Sequence, residues 1–142
     1  MKTRSHISFS LTLGMALLAG MLAAACSSTP QGKPRTSVEE RAQDYLNLLI
    51  AQDYAAAYEY LSPGYRSGTT LVDFQREQFG RRARLVDGRL GESDCSQGVC
   101  KVRVLVDYVI FGALPGVSEF KSKSAYTENW IQIDDIWFLV PE

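Results

Sequence analysis

The chain has 142 residues with 15 Lys+Arg, 16 Asp+Glu, one His and three Cys, a formal net charge of -1. That length holds one ordinary domain at most, and a hydrophobic fraction of 46% excludes wholesale disorder. The near-neutral balance gives no general reason for nucleic-acid binding. The lone histidine, His6, falls in a segment that reads as a removed leader. His-based triads, His-ligated zinc and His general bases are therefore excluded from the mature chain.

The leader covers residues 1–25. Lys2 and Arg4 start it with positive charge, and no charged residue occurs from Ile7 to Ala25. From Leu11 the stretch is rich in Leu, Ala, Gly and Met, and it closes on Ala23-Ala24-Ala25 before Cys26. This is the layout of a secretory signal peptide. Its length, near the ~20 residues that span a bilayer, also suits a permanent membrane helix. The cysteine separates the two readings, because Leu22-Ala23-Ala24-Ala25-Cys26 resembles the lipobox of bacterial lipoproteins. In this chain the favoured Leu stands four residues before Cys26 rather than three, with Ala23 in its place. The resemblance implies cleavage before Cys26, a diacylglycerol on its thiol and a third acyl chain, such as palmitate, on its amine. With Ser27 next, it also implies an outer-membrane anchor facing the periplasm. Residues 26–36 then carry the acylated Cys and a tether. Ser27 to Thr36, SSTPQGKPRT, has two prolines and no aliphatic or aromatic side chain, a composition that cannot support a packed element.

The domain, residues 37–142, starts at a capping box, Ser37-Val38-Glu39-Glu40. Ala42, Tyr45, Leu46 and Leu49 follow at helical spacing, which predicts a first helix over about 38–52. Asp53 caps a second, Tyr54 to Leu61, and Ser62-Pro63-Gly64 stops it. A third starts at Thr70 or Asp73 and runs through Phe74 and Phe79 to Gly80. Beyond Gly80 the period becomes two. A strand covers about Arg82 to Cys95, and the next places Val102, Val104, Val106, Tyr108 and Ile110 on one face. Leu114-Pro115-Gly116 is a turn signal; a third strand covers about Glu119 to Ile133, Asp134-Asp135 is a tight turn, and Ile136 to Val140 is the last strand.

The remaining cysteines, Cys95 and Cys100, are expected to form a disulfide in a secreted chain, because a metal site needs more ligands than remain. If they face each other, Asp94 faces Lys101 and Glu92 faces Arg103, two opposite-charge pairs on one face. The same register sets Asp87 against Tyr108 and Arg89 against Val106, on the apolar face. Either a β-bulge at Gly88 or Gly91 flips the strand, or Asp87 and Arg89 form a polar patch inside a cleft.

Helices followed by a long antiparallel sheet make an α+β fold. Ala51-Gln52-Asp53-Tyr54-Ala55-Ala56-Ala57-Tyr58-Glu59-Tyr60-Leu61-Ser62-Pro63 is similar to the Asp-Tyr, Ala-rich, Leu-Ser-Pro segment of the nuclear-transport-factor-two-like superfamily. Trp130-Ile131-Gln132-Ile133-Asp134-Asp135-Ile136-Trp137-Phe138-Leu139 resembles its final Trp hairpin. The resemblance implies a cystatin-like cone, N-terminal helices packed on a curved sheet with an open mouth. That superfamily holds isomerases, cyclases and dehydratases beside non-enzymatic modules, so fold does not settle function.

Asp107, Tyr108, Tyr126 and Glu128 lie on central strands. They are either solvated surface residues or an acid/base set in which a carboxyl is raised beside a proton donor. Tyr45, Tyr58, Phe74, Trp130 and Trp137 are either core or cone lining. Together with Asp87 and Arg89, Tyr108, Tyr126, Trp130 and Trp137 make the expected pocket. Arg81, Arg82, Arg84 and Arg89 read as a charged strand edge, with lipid phosphates the alternative. No cofactor and no metal site are expected. The expected function is a non-catalytic module of the cell envelope that binds a small apolar ligand or a protein, with dimerisation left open. The alternatives are an isomerase- or cyclase-like enzyme using Asp or Glu with Tyr, and a structural or assembly accessory.

Overall fold

The computed structural model describes residues 36–114 and 116–142. The leader, Cys26, most of the tether and Pro115 of the turn signal lie outside the described residues. The capping box forms as a pair of bonds: the Ser37 hydroxyl accepts from the Glu40 backbone N–H at 3.1 Å, and the Glu40 carboxylate accepts from the Ser37 N–H at 3.1 Å. Helix α1, Val38–Ala51, buries Val38, Ala42, Tyr45 and Leu46 on one face. It ends at Gln52, whose left-handed backbone (φ 59°) closes the last turn.

Asp53 caps α2 by accepting from the Ala56 N–H at 3.1 Å. This helix covers only Tyr54–Tyr58, shorter than the expected Tyr54 to Leu61. The chain leaves the helix to meet the last strand: the Leu139 N–H donates to the Tyr60 carbonyl at 2.8 Å and the Ser62 N–H to the Leu139 carbonyl at 2.7 Å. Ser62 then starts a helix as well as ending one. Its hydroxyl accepts from the Tyr65 N–H at 3.3 Å, and Pro63 opens α3, Pro63–Gly68. Proline at a first helical position is pre-set for the helix, so there are four helices here instead of three. Thr70 caps α4, Leu71–Gly80.

Four antiparallel strands follow in the spatial order β1-β2-β3-β4: β1 Ala83–Ser96, β2 Val99–Leu114, β3 Val117–Ile133 and β4 Ile136–Val140. The fold is α+β. Cys100, Val102, Val104 and Val106 face the helices and are buried. They pack with α1, Leu61, Phe74, Trp130 and Leu139 to make the core. The turns at Gln97-Gly98 (φ 50°, 78°) and Asp134-Asp135 (φ 50°, 63°) have both residues left-handed, the geometry that matches the twist of a two-residue hairpin.

Cys95 faces Cys100 and Asp94 faces Lys101, and the two cysteines are joined by a disulfide with a Cα–Cα distance of 4.1 Å. The register then shifts between Leu90 and Ser93. Glu92 falls in that bulge and does not pair with Arg103. Beyond it Arg89 faces Leu105 and Asp87 faces Asp107, with Gly88 opposite Val106. Asp87 and Arg89 are thus exposed on the outer face and leave the expected pocket. The bulge has a steric reason. It brings Gly88 to the inner face, where a Cβ would lie 2.8 Å from Leu46 Cδ2 of α1. Only a residue without a side chain lets α1 sit this close.

Helix α1 packs chiefly on β1. At the other side, β4 ends with Val140 opposite Asn129. The β4-facing edge of β3 therefore has no neighbouring strand before Asn129, and this is where the inner layer opens.

Candidate functional site

The alternation of β3 puts Tyr126, Glu128 and Trp130 on the inner face. Their partners on β2 are Val104, Val102 and Cys100, all buried. Trp130 is fully buried and Glu128 is 6% exposed. The Trp130 Nε1–H donates to Glu128 Oε2 at 2.9 Å, and the Tyr126 hydroxyl stands near enough to the same carboxyl to favour its ionised form. Burial pushes the Glu128 carboxyl up to about 7, although both neighbours pull it down. The Tyr126 hydroxyl is raised by its own burial and by the Glu128 charge. The Tyr45 hydroxyl is raised for the same two reasons, burial first. Both phenols stay protonated at neutral pH, while Glu128 exchanges its proton there. Among the described residues no ion pair involves Glu128.

The carboxyl lines an open cleft of about 230 Å³. Tyr45 and Leu49 of α1 form one wall, and Gln78 of α4 with Arg81 just beyond it another. Residues 126–129 of β3 and the segment Leu139 to Glu142 complete the lining. A second hollow of about 140 Å³ shares Leu49, Gln78, Arg81 and Tyr126 and is also lined by Tyr54, Ala83 and Leu85. Arg81 bonds Glu77 at 2.8 Å, and its charge opposes the upward shift of both tyrosine hydroxyls. At the rim, Asn129 Nδ2 donates to Glu142 Oε1 at 3.2 Å.

The structure divides the expected pocket. Tyr126 and Glu128 come together in the cleft. Trp130 stands behind them as core and does not line it. Trp137 packs against the core away from the cleft, and its carbonyl accepts from Arg41 Nε at 2.7 Å. Tyr108 lines a separate groove of about 270 Å³ with Val86, Asp107, Lys121, Ser122 and Lys123. Asp107 pairs with Lys123 at 2.9 Å, both partly or largely exposed, so the solvated reading holds for Asp107. It fails for Glu128, which the helices and β4 cover.

The sequence did not point to Gln78, Arg81, Asn129 and Glu142 as lining residues; of the two readings open for Tyr45, core and lining, both apply, since it is buried and also lines the cleft. Arg81 was grouped with a strand edge, but α4 ends at Gly80 and Arg81 is its cap. The signal for the centre was present in Tyr126-x-Glu128-x-Trp130, an acid between two aromatics at strand spacing.

A buried carboxyl held by the Trp130 indole at the floor of an open cleft is a group that can bind a cation or exchange a proton near neutral pH. Among the described residues no group of three or more His, Cys, Asp or Glu side chains has the arrangement of a metal site.

No protein-family model matches the chain, and no curated protein does. Among solved structures, a SEC-C motif containing protein from Rhodopseudomonas palustris is similar, with 10% identity and a TM-score of 0.60. That match covers 77% of this chain and 79% of the other. A Campylobacter jejuni protein named for an NTF2-like transpeptidase aligns over 73% of this chain and 97% of its own, with 16% identity and a TM-score of 0.49. At such identities the likeness to the first is one of fold.

Proposed function

We propose that this chain is a lipid-anchored, periplasm-facing envelope protein whose domain is a non-catalytic module holding a small ligand in the Glu128 cleft. The lipobox-like Leu22-Ala23-Ala24-Ala25-Cys26 supports the anchor. The observation that carries the binding role is the floor of the cleft, where one buried carboxyl lies open to a small guest. The Trp130 indole is spent on that carboxyl, and the Tyr126 hydroxyl faces it. A site for acyl, enol or carbonyl chemistry needs donors aimed at the oxygen where charge develops, and the indole N–H is committed to Glu128 instead.

Native mass spectrometry of the chain purified from its cell extract tests this. A non-covalent adduct is expected on the wild type and not on Gln78→Trp, which fills the cleft. A bare wild-type mass, or an equal adduct on the variant, contradicts the reading. A second reading is acid/base catalysis, favoured by a Glu128 carboxyl that exchanges its proton near neutrality beside the Tyr126 hydroxyl. Conversion of the captured ligand on incubation, lost in Glu128→Gln, would select it.

A further inference from the structure

We infer that the cleft takes a small organic cation, a primary ammonium ion whose N–H groups bind the Glu128 carboxylate beside the rings of Tyr45 and Tyr126. The inference rests on the reading that the cleft is a ligand site and names the chemistry of its guest.

The argument is one of unmatched charge. Ionised, Glu128 would be a carboxylate removed from water, a state that proteins ordinarily tolerate only beside an opposite charge. Its hydrogen-bond partner, the Trp130 indole, and the neighbouring Tyr126 hydroxyl are both neutral. A carboxylate offers about four lone-pair positions, so the single indole bond leaves room for a guest. The charged and titratable groups that face it can be named element by element. Helix α1 presents Tyr45; the cap of α4 presents Arg81; β3 presents Tyr126; the segment after β4 presents Glu142. Arg81 is the one cation of that set and is already bonded to Glu77 at 2.8 Å. Glu142 adds a second carboxylate at the rim. An anionic guest would meet two carboxylates, whereas an ammonium ion gains a charge-assisted hydrogen bond and aromatic faces that attract cations.

A pH signature follows. An alkylammonium ion, like the lysine side chain, keeps its proton to about pH 10. The Glu128 carboxyl, raised to about 7 by burial, is mostly ionised at pH 8 and mostly neutral at pH 6. Ammonium binding therefore weakens about tenfold between those values, and binding releases a proton near neutrality.

The test uses the ¹⁵N-labelled chain as purified, in a mild detergent, titrated with n-butylammonium, butan-1-ol and butanoate at pH 8 and pH 6. The Trp130 indole N–H, which touches Glu128, is the reporter, with Trp137 as internal control. The expected result is a saturable shift of the Trp130 signal with n-butylammonium at pH 8, about tenfold weaker at pH 6 and absent in Glu128→Gln. An equal or stronger response to the alcohol or to butanoate overturns the cation while leaving the cleft a ligand site. No Trp130 response to any probe, or an ammonium response that survives in Glu128→Gln, also overturns it. If Glu128→Gln does not fold, the three-probe comparison on the wild type at two pH values decides alone. The adduct seen by native mass spectrometry reports separately on whether the cleft holds a ligand at all.

Discussion

The Trp130 indole N–H is hydrogen-bonded to the carboxyl of Glu128, two residues away on the same strand face, at 2.9 Å. Trp130 is fully buried, packed edge-on against Tyr45 with ring centroids 6.1 Å apart. The acid of the cleft is thus held by a residue of the core. The same bond satisfies an indole donor that would otherwise be stranded in the interior. Fold and candidate site meet in that one contact, and it gives both a measurable pH dependence.

Stability is expected to fall as pH rises through the window from 4.5 to about 7. In the unfolded chain the Glu128 carboxyl titrates near 4.5, and in the folded chain burial holds its proton to about 7. Below 4.5 both states are protonated; between the two values only the folded state keeps the proton; above 7 neither does. The contribution present at low pH is lost across the window and the loss is complete above it, on the order of 3 kcal/mol. Urea unfolding at pH 5 and pH 8 should show this fall in the wild type and a smaller one in Glu128→Gln. The difference between the two chains isolates Glu128 from other acids, such as Glu39, whose carboxyl is held down chiefly by the Ser93 hydroxyl. Equal falls in both chains would refute it.

Trp130→Phe should separate the hydrogen bond from the bulk. An aromatic ring remains and the N–H goes, so the ionised Glu128 loses its indole donor and its midpoint rises above about 7. The slightly smaller ring and the lost bond cost about 1–3 kcal/mol. Following the Glu128 carboxyl by ¹³C NMR checks the direction, and an unmoved midpoint would show that the indole does not tune the acid.

What could be read from the chain depended on how local the cause was. Ser37, Asp53 and Thr70 cap helices through contacts three residues away, and Val102, Val104 and Val106 announce their buried face by alternation alone. Two glycines, Gly88 and Gly91, offered a site for the bulge in β1, and the register shifts between Leu90 and Ser93, across Gly91; the contact that fits this register, with Leu46, lies on another element. The sequence therefore left both a flipped strand and a polar cleft patch open for Asp87 and Arg89, and the flipped strand is the one found. For Glu128 the sequence left a solvated surface acid and a raised carboxyl both open, because its burial comes from α1 and β4, neither of which its neighbours in sequence reveal. Ser62-Pro63-Gly64 carries both a stop and a start signal, and only the pairing of Leu61 with Leu139 shows that both are used.

Gly88→Ala should destabilise the domain by about 1–3 kcal/mol, the range for overpacking a filled interior. The new methyl would lie 2.8 Å from Cδ2 of Leu46, which is fully buried, so Leu46 has little room to yield. Gly64→Ala is the control. Nothing lies within 4 Å of its added carbon, and the change only restricts the unfolded chain, so stability should hold or rise by up to about 1 kcal/mol. Thermal unfolding of the two variants side by side checks the contrast, and a Gly88→Ala protein as stable as wild type would refute the close approach of α1 to β1.

Cys26→Ser should abolish incorporation of a fatty-acid analogue into the chain while leaving the melting transition of the domain unchanged. Each buried methylene adds about 0.8 kcal/mol of membrane affinity. One acyl chain gives only marginal binding and two or three give a firm anchor, so removing the acylated thiol removes the attachment itself. Labelling cells that express each form, followed by membrane fractionation, reads both the acylation and the membrane to which the wild type goes. An unlabelled wild type, or a variant labelled to the same extent, would rule out the lipid anchor while leaving the cleft and its chemistry to be judged by their own tests.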